Sequence, residues 1–434
     1  MKNAPHDPRV PNEGGSFNSL SRREVVTGIA SLGASALACA PAAKAAGDPA
    51  VDAGFRRGVS LWPWFALTRE FPPPSRGYAW PPFERNRPLP SAEDLARLRR
   101  AGFDFVRLPV DPGPFLALTG SERSQLMMLL EAAVDAILAA DLAVVVDLHP
   151  NEATHFWNGR QLLDQGPGGS FGLFTGLAVD VAAMLSDRRA RAALELVNEP
   201  PPACTSTLWQ EQQKLLLAAV RRKDAELRIV LTGACGSLPE GLVALAPPEP
   251  RDDKLIYTFH YYRPYLFSHQ GAVWMRKEAY YRYLREVPWP AAAGSRDRTM
   301  AAFRAQVDAD PALSLVERAA LVTTGTFKIA RYFESDAGKS YVERHFAQIA
   351  AWREAHGIEA GRILLGEFGA TKFAPPADRA RYVADVRSSA EAQGFAWAFW
   401  NMFDAMGLVR DDDSHAFDAS IVQALGLRAP AGDR

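Results

Sequence analysis

The sequence predicts a (β/α)8 barrel, in the α/β class, with an enlarged loop and helical insertion after its sixth strand. From Gly54 onward, a short apolar strand is followed by a polar or aromatic loop and a helical segment, and this order recurs eight times. Several strands are continuous apolar runs, which are typical of parallel strands buried on both faces. The glycine-rich phosphate motifs of doubly wound sheets, GxGxxG and GxxxxGK[ST], are absent from the sequence.

Composition and charge limit the class of protein and the kinds of partner to be expected. The chain has 434 residues, 48% hydrophobic and 23% charged, with a net charge of -1. This is an ordinary globular composition, and without a basic excess nothing indicates a nucleic-acid partner. The 10 tryptophans would suit the flat apolar faces of sugar rings, although many tryptophans are core residues. We expect a monomer that needs no cofactor.

Residues 1–46 have the pattern of a twin-arginine-type export signal. Adjacent arginines precede a moderately apolar stretch rich in Ala, Gly and Ser, and cleavage after Ala45 or Ala46 would fit an Ala-x-Ala site. The stretch is too short and too weakly apolar for a stable membrane span. A loose N-terminal helix and lipid attachment at Cys39 are the alternatives. We therefore expect residues 47–434 to form a single catalytic barrel, periplasmic or secreted.

The first half of this barrel is expected to contain four strand–helix repeats. Strands are predicted at residues 55–61, 103–108, 142–150 and 194–197, and helices at 91–102, 122–140, 173–185 and 208–224. Ser91 is a suitable N-cap for the first helix, with Asp94 three residues later and Gly102 at its end. The proline-rich and aromatic segment 72–90 is predicted to be a loop.

The second half repeats the pattern around a long insertion. Strands are predicted at 228–232, 254–259, 362–366 and 395–400, and helices at 376–393 and 416–425. About 100 residues separate the sixth strand from the seventh, with helices predicted at 314–330 and 338–356. This excess over a plain barrel repeat indicates an elaborated loop beside a ligand site.

Two carboxylates follow predicted strands, Glu199 in LELVNEP and Glu367 after the seventh strand. Asn and Glu are poor strand formers, and Pro200 cannot continue a ladder of hydrogen bonds. A closed barrel brings its strand ends around one pocket, so the two carboxylates should meet there. A single Glu at a strand end is more often a salt-bridged structural residue. A pair that flanks one bond is what glycoside hydrolysis requires.

With its polar residues at the ends of successive strands, the segment 54–410 resembles the family 5 glycoside hydrolases, the large cellulase family within the (β/α)8 retaining clan. The motif Asn-Glu-Pro alone is weak, but it is joined here by a strand-end Arg, His, His-x-Tyr, Glu and Trp. The resemblance implies a double-displacement hydrolase of β-linked glycans. Glu199 would be its general acid/base and Glu367 its nucleophile.

The resemblance also implies supporting roles around these carboxylates. Arg107 would lie near the nucleophile and favour its charged form, unless it is only an ion-pair residue of the barrel mouth. In His260-Tyr261-Tyr262, Tyr262 matches the Tyr of His-x-Tyr, whose phenol steadies the nucleophile. His260 would lie near the acid/base. Asn198 would hydrogen-bond the 2-hydroxyl of the sugar.

Sugar-binding positions follow from the same resemblance. His149 would line the subsite at the cleavage point, with a structural histidine as the alternative. Trp400 would stack under the sugar that is cleaved. Trp62 and Trp64 could form more distant subsites or simply pack.

The remaining expectations concern the cysteines, metals and substrate. Cys204 and Cys235 each follow a predicted strand, and both two free thiols and a disulfide fit the sequence. No Cys/His cluster has metal-ligand spacing, so we expect no metal. We expect an endo-β-1,4-glucanase-like enzyme. The alternatives are mannan, β-1,3-glucan, exopolysaccharide or oligosaccharide ends as substrate, or a non-catalytic carbohydrate-binding barrel.

Overall fold

Eight parallel strands close into a barrel in the computed structural model, which describes residues 54–166 and 169–429. The strands are β1 (Arg57–Ser60), β2 (Phe105–Val110), β3 (Ala143–Leu148), β4 (Ala192–Glu195), β5 (Arg228–Thr232), β6 (Leu255–Tyr261), β7 (Ile363–Phe368) and β8 (Ala396–Phe399). Each pairs with its neighbours in sequence, and β8 closes on β1. The predicted (β/α)8 fold is confirmed. The predicted export signal and Cys39 lie outside the described residues.

Alternation along the strands decides which side chains fill the barrel. One buried cluster contains small and aromatic residues from alternate positions, including Phe105 of β2 and Ala143 and Val145 of β3. Their neighbours in sequence point outward and pack against the helices, because successive strand residues face opposite sides. Gly58 makes room for Phe105, since a Cβ on Gly58 would lie 2.3 Å from that ring. Residues two positions further along these strands therefore point into the barrel near its C-terminal mouth.

Helices surround the barrel. They span Ala92–Ala101, Pro112–Ala117, Gly120–Ala139, Gly159–Leu162, Phe171–Leu185, Thr207–Lys223, Pro239–Val243, Tyr265–Ser268, Arg296–Asp308, Leu315–Glu334, Lys339–Ala355, Pro376–Ala392 and Ala419–Ala424. The predicted cap of the first helix forms as a capping box between Ser91 and Asp94, and Gly102 ends the helix with φ 109°. Among the described residues, no helix has the length and apolarity to cross a membrane.

Segment 72–90 is not simply a loop, so that prediction was wrong in part. Thr68–Glu70 and Tyr78–Phe83 form a small antiparallel sheet, paired at Thr68–Phe83 and Glu70–Tyr78 with an irregular register between. Its prolines fall in this irregular stretch, where a missing N–H breaks no regular ladder. Burial of both Tyr78 and Phe83 holds the hairpin on the barrel.

The insertion between β6 and β7 forms as predicted, with a one-turn helix, Tyr265–Ser268, and one longer helix in addition. Helices Leu315–Glu334 and Lys339–Ala355 confirm the two predicted segments, whereas Arg296–Asp308 was not anticipated. The last helix is shorter than predicted because the side chain of Asp418 caps it, accepting from the backbone N–H of Ser420.

Candidate active site

Arg107 lies at the centre of a buried charge cluster in the barrel mouth. It points inward from β2, as Asp147 and Glu195 do from β3 and β4, and all three side chains are fully buried. Its Nε and Nη2 donate to the Glu195 carboxylate at 2.7 and 2.9 Å, and Nη2 lies 2.9 Å from Asp147 Oδ2. Its Nη1 donates to Glu367 Oε1 at 2.6 Å. One cation therefore faces three carboxylates, which hold the pKa of Arg107 well above its usual value against the effect of burial.

Asp147 and Glu195 were not among the site residues predicted from the sequence. Each is a charged residue inside an apolar run, two positions beyond an inward-facing residue of the same strand. Charged side chains are almost never fully buried without a partner. Their place inside buried strands is therefore a sequence signal for an internal ion-pair cluster.

A β-bulge in β7 turns Glu367 toward the barrel axis. Leu364 points inward, so strict alternation would bring Gly366 and Phe368 inward and leave Glu367 outside. The register against β6 shifts between the pairs Phe259–Leu365 and His260–Glu367. Phe368 consequently packs in the outer core, and Glu367 faces the mouth. Bulges often re-aim a side chain in this way beside active sites.

Both oxygens of the Glu367 carboxylate are engaged. Arg107 donates to Oε1, and the hydroxyl of Tyr262 donates to Oε2 at 2.8 Å. His260 Nδ1 lies 3.5 Å from Oε2. Burial raises the pKa of Glu367, while His260 and Arg107 act against this rise. A cation and a phenol on one carboxylate suit a group that carries negative charge at working pH.

Glu199 occupies a different environment four residues beyond β4. Its backbone has φ 43°, a conformation that is costly for a residue with a Cβ and that clusters at functional sites. Its side chain is 42% exposed. Partial removal of the carboxyl from water raises its pKa. Glu199, His260 and Glu367 each contribute one donor atom to a set that lies within 4.8 Å.

His260 connects the two carboxylates as a neutral ring. Burial lowers its pKa to about 4, and its Nδ1 lies 2.8 Å from Glu199 Oε1. Among the described residues, none hydrogen-bonds its buried Nε2. The tautomer with the proton on Nδ1 avoids an unpaired buried N–H, so His260 donates to Glu199. Gly366 makes room for the ring, because a Cβ there would lie 3.2 Å from Nε2.

Asn198 and His149 extend the network along the mouth. Asn198 Oδ1 accepts from Arg107 Nη2 at 2.8 Å, and its Nδ2 lies 3.3 Å from His149 Nε2. His149 Nδ1 lies 2.7 Å from Asp147 Oδ2. Burial lowers the pKa of His149 to about 4, so the neutral ring donates from Nδ1 and accepts at Nε2. The second N–H of the Asn198 amide faces no partner in this pair and can serve a ligand.

An aromatic wall stands beside the carboxylates. Trp62, His149 and Trp400 have ring centroids 5.4 to 5.6 Å apart, and the His149 and Trp400 rings are nearly parallel at 14°. Trp62 and Trp400 are partly exposed, as a platform for a sugar ring must be. Trp64 instead stacks on Phe65, and no ring contact of the described chain joins it to this wall.

The long loop after β6 supplies a second aromatic group. The His269 ring lies 5.3 Å from Tyr262, 4.9 Å from Tyr265 and 6.1 Å from Trp274. Trp274 is 45% exposed. This group adjoins the phenol that contacts Glu367.

Cys204 and Cys235 form a disulfide with their Cα atoms 4.7 Å apart. The bond joins the loop after β4, which carries Glu199, to the turn after β5. Of the two alternatives that the sequence left open, the disulfide is therefore correct.

Glu199, His260 and Glu367 are also the described group whose donor atoms are close enough for a metal ion. The ring nitrogen of that group already donates to Glu199, and Arg107 already faces Glu367. The arrangement suits proton transfer, and a site without metal stays a prediction.

Comparisons with known proteins agree with this geometry. The family described as Cellulase (glycosyl hydrolase family 5) matches residues 75–405. Endoglucanase C of Acetivibrio thermocellus is 26% identical over 244 residues, 54% of this chain and 65% of the relative. Cellodextrinase A of Ruminococcus flavefaciens is 26% identical over 190 residues, 42% of this chain and 54% of the relative. The chain thus spans less than two thirds of these curated relatives.

A solved structure supports the fold. The cellulose synthase subunit Z of Clostridioides difficile superposes with a TM-score of 0.61 at 22% identity, covering 86% of this chain and 99% of that one. At this identity the likeness concerns the barrel architecture alone.

Proposed function

Because the chain belongs to the cellulase family, glycosyl hydrolase family 5, we propose that it is a retaining glycoside hydrolase of β-linked glucan, acting as an endo-β-1,4-glucanase. The observation that carries the proposal is the approach of Glu199 and Glu367, whose carboxylate oxygens lie within 4.8 Å. Retaining enzymes hold their two carboxyl groups about 5–5.5 Å apart, whereas inverting enzymes leave about 6.5–9.5 Å for a water. Relatives named endoglucanase and cellodextrinase favour glucan as the substrate.

In the first step, a sugar stacked on Trp400 presents its anomeric carbon to Glu367 and its glycosidic oxygen to Glu199. Glu367 attacks the carbon as the glycosidic bond breaks, and Glu199 gives its proton to the departing oxygen. The raised pKa of Glu199 favours the protonated form that this step needs. Because His260 donates to Oε1, the proton of Glu199 is directed to Oε2.

In the second step, Glu199 is ionised and acts as a base. It removes a proton from a water that attacks the anomeric carbon and releases Glu367. Arg107 and Tyr262 stabilise the carboxylate as it departs, since both donate to it. The product keeps the β configuration because the carbon is inverted twice.

The proposal is tested by activity on a panel of β-1,4-glucan, β-1,3-glucan, mannan and aryl β-cellobiosides. We expect hydrolysis of β-1,4-glucan, and loss of that activity in both Glu199→Gln and Glu367→Gln. Glu343→Gln is a matched control, because the Glu343 side chain is exposed and forms only a loose ion pair with Lys339. Activity that survives both active-site changes would falsify the mechanism. Binding without hydrolysis of any substrate would favour the carbohydrate-binding barrel.

We also propose export through the twin-arginine-type signal at residues 1–46. The disulfide between Cys204 and Cys235 supports this, since disulfides persist in oxidising compartments such as the periplasm. Replacing Arg22 and Arg23 by Lys should leave the protein in the cytoplasmic fraction of a host with this pathway. Unchanged export of that variant would contradict the assignment.

A further inference from the structure

The loop that carries Glu199 is fastened to the turn after β5 at three points. The backbone N–H of Gly236 donates to the Pro200 carbonyl at 3.0 Å, and that of Cys235 donates to the Pro202 carbonyl at 2.7 Å. The disulfide from Cys204 to Cys235 is the third link. All three links fall within five residues of Glu199.

The turn after β5 is a stiff base for this attachment. Cys235, Gly236 and Ser237 have φ values of 52°, 70° and 56°, and such a run persists only where the surroundings over-determine it. A Cβ on Gly233 would lie 2.0 Å from the Gly241 carbonyl carbon, so the two backbones are in direct contact. The buried hydroxyl of Ser237 is hydrogen-bonded to Thr232 of β5 at 2.8 Å. The turn is therefore fixed to the barrel and can hold the loop.

Glu199 needs such support more than Glu367 does. Glu367 lies within a strand and is held by Arg107 and Tyr262. Glu199 lies in a loop, with a left-handed backbone and a side chain that is 42% exposed. Its carboxylate is held by His260. Displacements of about 1 Å in a reacting group can cost about a hundredfold in rate.

We propose that the disulfide between Cys204 and Cys235 is a positioning device for the acid/base, so that its reduction weakens general acid catalysis and spares attack by Glu367. The two cysteines act through Glu199 and are positioning residues. The proposal rests on the proposed function. It makes full activity dependent on an oxidising environment, and both cysteines are partly exposed.

The test uses the full chain with Cys39→Ser, which leaves only the two thiols of interest. This reference protein is compared, oxidised and after reduction by a phosphine, with the same chain carrying Cys204→Ser and Cys235→Ser. Values of kcat/KM are measured on aryl β-cellobiosides whose leaving groups range from phenol to 2,4-dinitrophenol. A good leaving group departs without a proton, whereas a poor one needs the general acid.

For the phenyl substrate, we expect loss of the link to lower kcat/KM about tenfold, part of the roughly 10²–10⁴-fold effect of general acid catalysis. For the dinitrophenyl substrate, kcat/KM should change less than about twofold, and kcat should fall because Glu199 is also the base of the second step. Reoxidation should restore the phenyl activity. Equal losses along the series, or no loss, would overturn the proposal.

Two further measurements keep the outcomes separate. Circular dichroism follows folding, and if the serine variant fails to fold, the reduced reference protein gives the answer. Should that protein also unfold, the bond is a general structural link and the proposal is wrong. Glu199→Gln is run alongside, because the absence of any leaving-group dependence in that variant would contradict the proposed function and not the role of the disulfide.

Discussion

At the residue scale, Arg107 sets the charge balance of the site. It faces Asp147, Glu195 and Glu367. The side chains of Asp147 and Glu195 are fully buried. Arg107→Met should lower the free energy of unfolding by about 3–5 kcal/mol, because the buried carboxylates lose the cation that pairs with them. Urea denaturation measures this. Arg123→Met is the control, since Arg123 pairs with Asp180 at the surface and should cost less than about 1 kcal/mol. Equal costs would show that the cluster is not the stabilising feature.

A second prediction concerns the hydrogen bond from His260 to Glu199. A donor to a carboxylate favours its charged form, so removing the donor should raise the pKa of Glu199. His260→Phe keeps an aromatic ring but no donor, and it should move the basic limb of the kcat/KM profile to higher pH. His260→Asn, which can still donate, should move that limb less. A shift to lower pH in the Phe variant would contradict the inferred tautomer.

At the element scale, the hairpin Thr68–Glu70 and Tyr78–Phe83 is attached to β2 through a buried acid. Thr68 Oγ1 donates to Asp111 Oδ2 at 3.3 Å, and burial raises the pKa of Asp111 to about 7. The folded protein holds this proton more tightly than the unfolded chain. The stabilisation that protonated Asp111 contributes is therefore complete below the usual pKa of an Asp side chain, and it is lost as the pH rises through about 7.

This sign gives a stability prediction. Between pH 5 and pH 8, the wild type should lose about 2 kcal/mol of unfolding free energy relative to Asp111→Asn, which cannot titrate at that position. Urea denaturation at both pH values measures the difference. Asp180→Asn, at an exposed position, should track the wild type. A difference that grows in favour of the wild type with pH would refute the raised pKa.

The elements also show which parts of the fold could be predicted from sequence patterns. Apolar runs such as the third strand predicted the barrel, because parallel strands buried on both faces leave that signature. The hairpin was missed since proline-rich composition hides a short edge pairing that depends on burial of Tyr78 and Phe83. Helix Arg296–Asp308 was missed within the insertion, where no barrel repeat guides the prediction.

The site was predictable to the extent that its groups follow strands. Glu199 and Glu367 interrupt apolar runs near strand ends, so the barrel topology places both at its mouth. The inward orientation of Glu367 depends on a bulge at Gly366, and a single glycine in the strand does not by itself say which way the next side chain points. The pairing of Cys204 with Cys235 likewise depends on a distance in space between two loops.

At the scale of the whole molecule, the strands and the loops of the barrel hold different residues of the site. Strands hold Glu367 and Arg107 from inside, whereas Glu199 stands on a loop that is fastened from outside. One aromatic group comes from the ends of β1 and β8, and a second comes from the β6 insertion and contacts the Tyr262 ring beside Glu367. This layout fits a chain of sugars that passes over the mouth.

The central claim is that Glu367 forms a covalent bond with the sugar while Glu199 transfers protons. It is tested most directly by incubating the protein with 2,4-dinitrophenyl 2-deoxy-2-fluoro-β-cellobioside and mapping the labelled peptide by mass spectrometry. We expect one sugar per chain, attached to Glu367, with Glu199→Gln labelled at the same position. Label on Glu199, or no label on a chain that hydrolyses β-1,4-glucan, would contradict the account.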